Sequence, residues 1–189
     1  MIKVAIPITG NSEFKALKKI VYNGKFVSGK NVELFEKRYA NFIGTKYAVA
    51  VNSGTAALHA ALASLKLKKG DEVIVPAISF VSSATSILHQ GCTPIFCDVD
   101  MHNYCMCPES LEKSITKKTK AIIPVHFAGS TCQMQKIVSI AKKNKLKIIE
   151  DCSQAHGSKY RGTKVGNFGQ ISCFSFYATK HMTTGEGGI

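Results

Sequence analysis

Short runs rich in Val and Ile recur along this chain, and helical patterns of about 10–15 residues lie between them. The runs are Tyr47 to Val51, Glu72 to Pro76, Pro94 to Cys97, Ala121 to Val125, Leu146 to Glu150 and Ile171 to Phe176. Helical spacing is expected over Thr55 to Leu65, Phe80 to Gln90, Pro108 to Thr116 and Gln133 to Lys143. Strands that alternate with helices in this way cannot pair as hairpins, because each connection crosses over a sheet face. The pattern therefore predicts an α/β fold: a mostly parallel sheet sandwiched by helices in three αβα layers. Two further helical patterns precede the alternation. One is an amphipathic segment from Glu13 to Tyr22; the other carries Val32, Phe35, Tyr39 and Phe42 at helical spacing, after the glycine-containing stretch from Asn23 to Gly29. No repeat, low-complexity tract or internal linker interrupts the 189 residues.

Composition narrows the function classes. The seven cysteines, at 92, 97, 105, 107, 132, 152 and 173, include no Cys-x-x-Cys pair and no paired histidine spacing. Structural zinc needs four ligands converging at short spacings, so reduced, mostly buried thiols are expected and no metal site. Formal net charge is +13, from 25 Lys+Arg against 12 Asp+Glu. That favours anionic partners, but only Arg38 and Arg161 carry the guanidinium fork that reads base edges. The lysine runs at 66–69, 117–118 and 142–143 fall at expected helix ends, where they complement the helix dipole. A nucleic-acid role ranks last. No stretch reaches the roughly 18 apolar residues of a membrane span, and Met1 to Pro7 lacks the apolar core of a secretory signal. The expectation is a cytoplasmic protein with no membrane or nucleic-acid partner.

In parallel sheets, ligands bind beyond the carboxyl ends of the strands. Three segments at such positions carry chemistry. Asn52-Ser53-Gly54-Thr55-Ala56-Ala57 joins a strand to a helix. Gly54 permits close backbone approach, and the hydroxyls of Ser53 and Thr55 lie beside unpaired amides, which makes a phosphate seat; an ordinary N-cap needs the same residues. Glu150-Asp151 ends an apolar strand. A carboxylate there suits the protonated ring nitrogen of pyridoxal phosphate, and equally a cap for the following turn. In Cys173 to Gly188 a strand feeds a loop with a single lysine, Lys180, and then a glycine-rich turn. Schiff-base lysines favour packed, partly desolvated places; Phe174, Phe176 and Tyr177 are expected as its walls, with Ser175 donating to a phosphate. Phe80, an aromatic after the strand ending at Pro76, suits stacking on a heteroaromatic ring or plain core packing.

Taken in order, Phe35-Glu36, Asn52 to Leu58, Gly70 to Val73, Glu150-Asp151 with Gln154-Ala155-His156-Gly157, Phe174-Ser175-Phe176, Lys180 and Gly185-Glu186-Gly187-Gly188 resemble the DegT/DnrJ/StrS-type sugar aminotransferases. The resemblance covers essentially the whole chain. It implies a fold-type I enzyme dependent on pyridoxal 5'-phosphate, related to aspartate aminotransferase. Lys180 resembles the Schiff-base lysine and general acid/base, and Asp151 the partner of the pyridine nitrogen. Gln154 matches the contact on the ring-oxygen side, Phe80 the stacking aromatic, and Gly54, Thr55 and Ser175 the phosphate contacts. A dehydratase branch carries histidine in place of the lysine; spacing to Gly185-Glu186-Gly187-Gly188 puts Lys180, not His181, at that place. The implied substrates are glutamate and a nucleotide-linked keto-sugar for surface-polysaccharide or related sugar synthesis, and the implied full-length state is a homodimer. Family members run to roughly twice this length, so residues 1–189 are expected to form the large cofactor domain without the small carboxyl-terminal one. A second reading is a non-catalytic remnant that binds cofactor or a protein partner.

Overall fold

The computed structural model describes residues 5–24 and 26–189. Met1 to Val4, part of the segment read for a secretory signal, and Lys25, within the glycine-containing stretch, lie outside the described residues.

Helices α1 (Asn11–Tyr22) and α2 (Lys30–Ile43) open the chain. The Glu13 carboxylate closes the first turn of α1 by accepting the Gly10 N–H at 2.8 Å. The apolar stripe of α1, Phe14, Leu17 and Val21, follows helical spacing yet stays exposed. In α2, by contrast, Tyr39, Ala40 and Ile43 are buried.

The alternating part follows as α3 (Gly54–Ser64), β1 (Glu72–Pro76), α4 (Ser82–Leu88), β2 (Thr93–Cys97), α5 (Pro108–Lys113), β3 (Thr119–Ile122), α6 (Met134–Lys143) and β4 (Lys147–Asp151). A two-stranded hairpin, β5 (Lys159–Tyr160) with β6 (Thr163–Lys164), precedes β7 (Ile171–Cys173). The five-stranded sheet has the order β2-β1-β3-β4-β7, and every pairing in it is parallel. Alternation along each strand sends its side chains to opposite helical layers. Val73, Val75, Ala121, Ile123 and Ile149 pack with Leu58 and Leu62 of α3 and Ile87 of α4. Ile74, Ile122 and Ile148 pack with Leu111 of α5 and Met134 and Ile137 of α6. This is the expected three-layer αβα arrangement. The chain leaves β1 for β2 on one side and then crosses to β3 on the other, so the order in which strands are added reverses between β1 and β3. A crevice at the carboxyl ends is set by that reversal.

Several boundaries differ from expectation for identifiable reasons. Tyr47 to Val51 is not a strand: only Val51 bridges a neighbour, Gly188, and Tyr47 and Val49 are exposed. A strand exists only where another backbone lies beside it. β7 stops at Cys173 because the chain then pairs with the Gly187–Ile189 backbone instead of with β4: Phe174 donates to Ile189, and Phe176 to Gly187, both at 2.9 Å. The α4 helix starts only at Ser82, leaving Phe80 in the turn before it, and α5 ends at Lys113, three residues early. The β5–β6 hairpin is an addition to the expected elements. Its two-residue turn, Arg161-Gly162, has both residues at positive φ, the geometry that suits the twist of a tight hairpin.

All seven cysteines are free thiols, and all but Cys107 are buried. Among the described residues no helix is long and apolar enough to cross a membrane.

Candidate active site

A cavity of about 420 Å3 opens at the carboxyl ends of the sheet. Gly54, Thr55, Phe80, Asp151, Gln154, Ser175 and Lys180 all line it. These seven residues border one space, although the chain delivers them from four separate segments, 54–55, 80, 151–154 and 175–180. A larger cavity of about 580 Å3 lies between residues 45–51 and β7, but its walls are mainly apolar, and it holds neither the carboxylate nor the loop lysine. The smaller cavity is where polar groups converge, which marks it as the site.

One end of the site is the start of α3. Ser53 caps the helix, its hydroxyl accepting the Ala56 N–H at 3.1 Å. Gly54 packs so tightly on the strand beyond β7 that an added Cβ would lie 2.8 Å from Cβ of Ser175. Gly188 is tighter still, its absent Cβ falling 2.1 Å from the Ser53 carbonyl oxygen. Two glycines therefore let a helix N-terminus and a serine-bearing strand meet. The result is a cradle of amides and hydroxyls suited to an anion.

Asp151 stands opposite as the last residue of β4, only 4% exposed. Its Oδ2 accepts the Ser83 hydroxyl at 2.7 Å and its Oδ1 accepts the Ser153 N–H at 3.1 Å. Gln154 follows; its Oε1 accepts the Ala128 N–H at 2.7 Å, which leaves the side-chain amide as donor. Ala128 adopts φ 50° to reach it, a left-handed conformation unusual for a residue with a side chain. Phe80 is 66% exposed at the rim of the cavity. Lys180 is half-buried on a loop closed at its base, where Thr184 N–H and Thr183 Oγ1 both donate to the Phe176 carbonyl at 3.0 Å.

The expected aromatic walls need correction. Tyr177 does line the cavity, but Phe174 and Phe176 do not. Both are buried in a separate cluster with Tyr39 and Ile43 of α2. Successive residues of extended chain point to opposite sides, so a strand that aims Ser175 at the cavity must turn both phenylalanines away.

That aromatic cluster fixes the strand from behind. The Tyr39 hydroxyl lies 2.8 Å from His156 Nδ1, and His156 Nε2 lies 2.8 Å from the Ser175 carbonyl. A carbonyl can only accept, so Nε2 carries the proton and Nδ1 accepts from Tyr39. Burial lowers the His156 pKa, and nearby His181 and Lys180 act in the same direction against the Ser175 bond. Burial likewise pushes the Tyr39 hydroxyl upward, so it stays a donor.

A second buried network lies beneath Asp151. Glu150 accepts the amides of Phe168 at 2.7 Å and Gly169 at 2.8 Å on Oε1, and that of Gly166 at 2.9 Å on Oε2. His126 Nε2 adds a bond to Oε2 at 3.2 Å, while its Nδ1 accepts the Cys132 N–H at 3.2 Å. Burial raises the Glu150 carboxyl, but the bonds from His126, Gly166 and Gly169 outweigh it and hold the group below the usual range. His126, Glu150 and Cys152 come close enough to share an ion. Both ring nitrogens and both carboxylate oxygens are already occupied by protein partners, which makes this a structural network.

Sequence reasoning missed Ser79 and Ser83, which connect to Asp151, and Ala128, which orients Gln154. The serine-rich stretch Ser79 to Ser83 beside an exposed phenylalanine was the available signal, since buried serines need partners.

The profile of the DegT/DnrJ/EryC1/StrS aminotransferase family matches residues 7–189. The chain belongs to this family. Escherichia coli O157:H7 GDP-perosamine synthase is 47% identical over 161 residues, which are 85% of this chain and 44% of that protein. An aminotransferase from Psychrobacter cryohalolentis superposes with a TM-score of 0.94 at 41% identity, over 97% of this chain and 47% of the other. A Streptococcus pneumoniae protein solved in a PLP-form superposes at 0.95 with 33% identity, over 99% of this chain and 52% of the other. The chain spans about half the length of the curated DegT/DnrJ/EryC1/StrS relatives it matches.

Proposed function

We propose that residues 1–189 form the cofactor-binding large domain of a pyridoxal-phosphate-dependent aminotransferase. It moves an amino group from glutamate to the keto group of a nucleotide-linked deoxysugar, as part of a cytoplasmic homodimer. The observation that carries this reading is the convergence of an anion cradle, a buried carboxylate and a loop lysine on one cavity. These residues fit the cofactor: the cradle closed by Gly54 suits its phosphate, and Asp151 suits a protonated ring nitrogen.

When bound, pyridoxal phosphate supplies an electron sink for charge left on the substrate carbon. Lys180 would hold the cofactor through its Nζ, and the same amine, when free, would carry a proton at that carbon. Asp151 would accept the ring N–H and so favour a cationic nitrogen. Gly54 and Thr55 donate at the head of α3, and Ser175 adds its hydroxyl. Phe80, at the rim, would stack on the ring. Gln154, with its oxygen engaged by Ala128, offers its amide N–H to the ring oxygen. The net charge of +13 favours approach of a phosphorylated sugar. The exposed stripe of Phe14, Leu17 and Val21 supports a surface that a second subunit covers.

Borohydride reduction of the protein loaded with pyridoxal phosphate, followed by peptide mapping, tests the assignment. The expected label is on Lys180. Lys180→Ala is expected to remove it and to lower amino transfer from glutamate to a keto-sugar nucleotide by at least about 10²–10⁴-fold. Labelling of another lysine, or turnover retained in the variant, would overturn the role. Labelling of Lys180 without any transfer would leave the chain a binding function only.

A further inference from the structure

Asp151 is oriented by a chain of hydroxyls that reaches back to the cavity wall. Ser83 is fully buried in the first turn of α4, and its hydroxyl lies 2.7 Å from Asp151 Oδ2 and 2.6 Å from the hydroxyl of Ser79. Each serine has one proton to give. A carboxylate offers none, so the Ser83 proton points at Asp151 and the Ser83 oxygen accepts from Ser79. The direction Ser79→Ser83→Asp151 is therefore fixed by chemistry. Ser79 and Asp151 both line the cavity, whereas Ser83 sits behind them.

We propose that Ser83 is the positioning residue for Asp151, and that the Ser79–Ser83 pair aims its carboxylate at the ring nitrogen. This rests on the assignment of Asp151 given above. A carboxylate turns easily about its last torsion, whose wells are broad. Bonds to different oxygens from different elements, Ser83 on α4 and the Ser153 amide after β4, hold its plane. A buried hydroxyl without partners is costly, so two short bonds at a fully buried serine tie the geometry of α4 to that of the carboxylate. Ser86, in the same helix, has a buried hydroxyl with no partner, so α4 does not pair its serines indiscriminately.

The test uses the protein carrying pyridoxal phosphate and variants Ser83→Ala, Ser83→Thr and Ser79→Ala. Loss of a hydrogen bond to a charged group is expected to weaken cofactor binding on the order of ten-fold in Ser83→Ala. A misaligned carboxylate also leaves the ring nitrogen less firmly protonated. The nearby positive charge then no longer discourages a proton on the nitrogen linking cofactor and lysine. The pH midpoint of the visible absorption band is therefore expected to rise in Ser83→Ala and to return in Ser83→Thr, which restores the hydroxyl. A packing defect alone would lower the melting temperature without moving that midpoint. Ser79→Ala, at a partly exposed position, gives the same shift in smaller measure and serves if Ser83→Ala does not fold. Wild-type midpoint and affinity in both alanine variants would overturn the proposal while leaving Lys180 and Asp151 in their roles. Absence of any Lys180 adduct in the wild-type protein would overturn both.

Discussion

At the scale of single residues, what matters most in the site is what is missing from Gly54 and Gly188. Neither donates a side chain, yet the cradle exists because two backbones approach within distances that a Cβ forbids. In Gly54→Ala the new methyl would also come within 3.3 Å of the Ser175 Cα, so backbone must move and not merely a side chain. The helix start would be pushed away from Ser175. We expect cofactor affinity to fall on the order of ten-fold, with a stability cost of about 1–3 kcal/mol. Absorbance titration alongside urea unfolding measures both. An unchanged affinity would show that the phosphate does not sit between these two elements.

Buried polar groups tie together the elements around the site. Glu150 is the clearest case, since it gathers the 166–169 loop onto the end of β4, next to Asp151. Replacement by glutamine keeps the shape but puts an NH2 group where Oε2 now meets two donors, the Gly166 amide and His126 Nε2. Each buried donor left without an acceptor costs about 1–3 kcal/mol. Glu150→Gln is therefore expected to lose about 3 kcal/mol, read as a lower urea midpoint. A variant as stable as the parent would mean that water takes over these bonds. The α1 helix is the opposite case: its amphipathic pattern forms a helix, but no described part of this chain covers its apolar stripe.

For the molecule as a whole, stability is expected to fall as the solution is made acid. Two groups that titrate in this range, the half-buried His156 and the buried Glu150, have depressed values, and both act in the same sense. His156 is held below the ordinary 6.5, chiefly by burial, so the unfolded chain takes up its proton first as pH falls past that point. Glu150 is held below the ordinary 4.5, where hydrogen bonds overcome burial, and its contribution is lost later, as pH drops through the folded value. Added positive charge on a chain already at +13 works in the same direction. Unfolding free energies measured by urea from pH 8 downward to about pH 2 should decrease in two stages, the upper one removed by His156→Gln. Greater stability at pH 5 than at pH 7 would contradict this account.

Much was legible in the order of residues alone. Periodicity gave the parallel α/β sheet, because burial on both faces demands unbroken apolar strands and crossover helices. Position at a strand end pointed to Asp151 and the Gly54 turn, each also explicable as a plain cap, and the ordered family motifs were needed to single out Lys180 and Asp151 as cofactor residues. Tertiary structure alone decided three things. It turned Phe174 and Phe176 away from Lys180, since side-chain direction depends on which face of an extended strand meets the cavity. It left Tyr47 to Ala50 outside the sheet, since a strand is a property of two backbones and not of one sequence. And it placed Ser83 against Asp151, 68 positions further along the chain, a contact that no local pattern encodes.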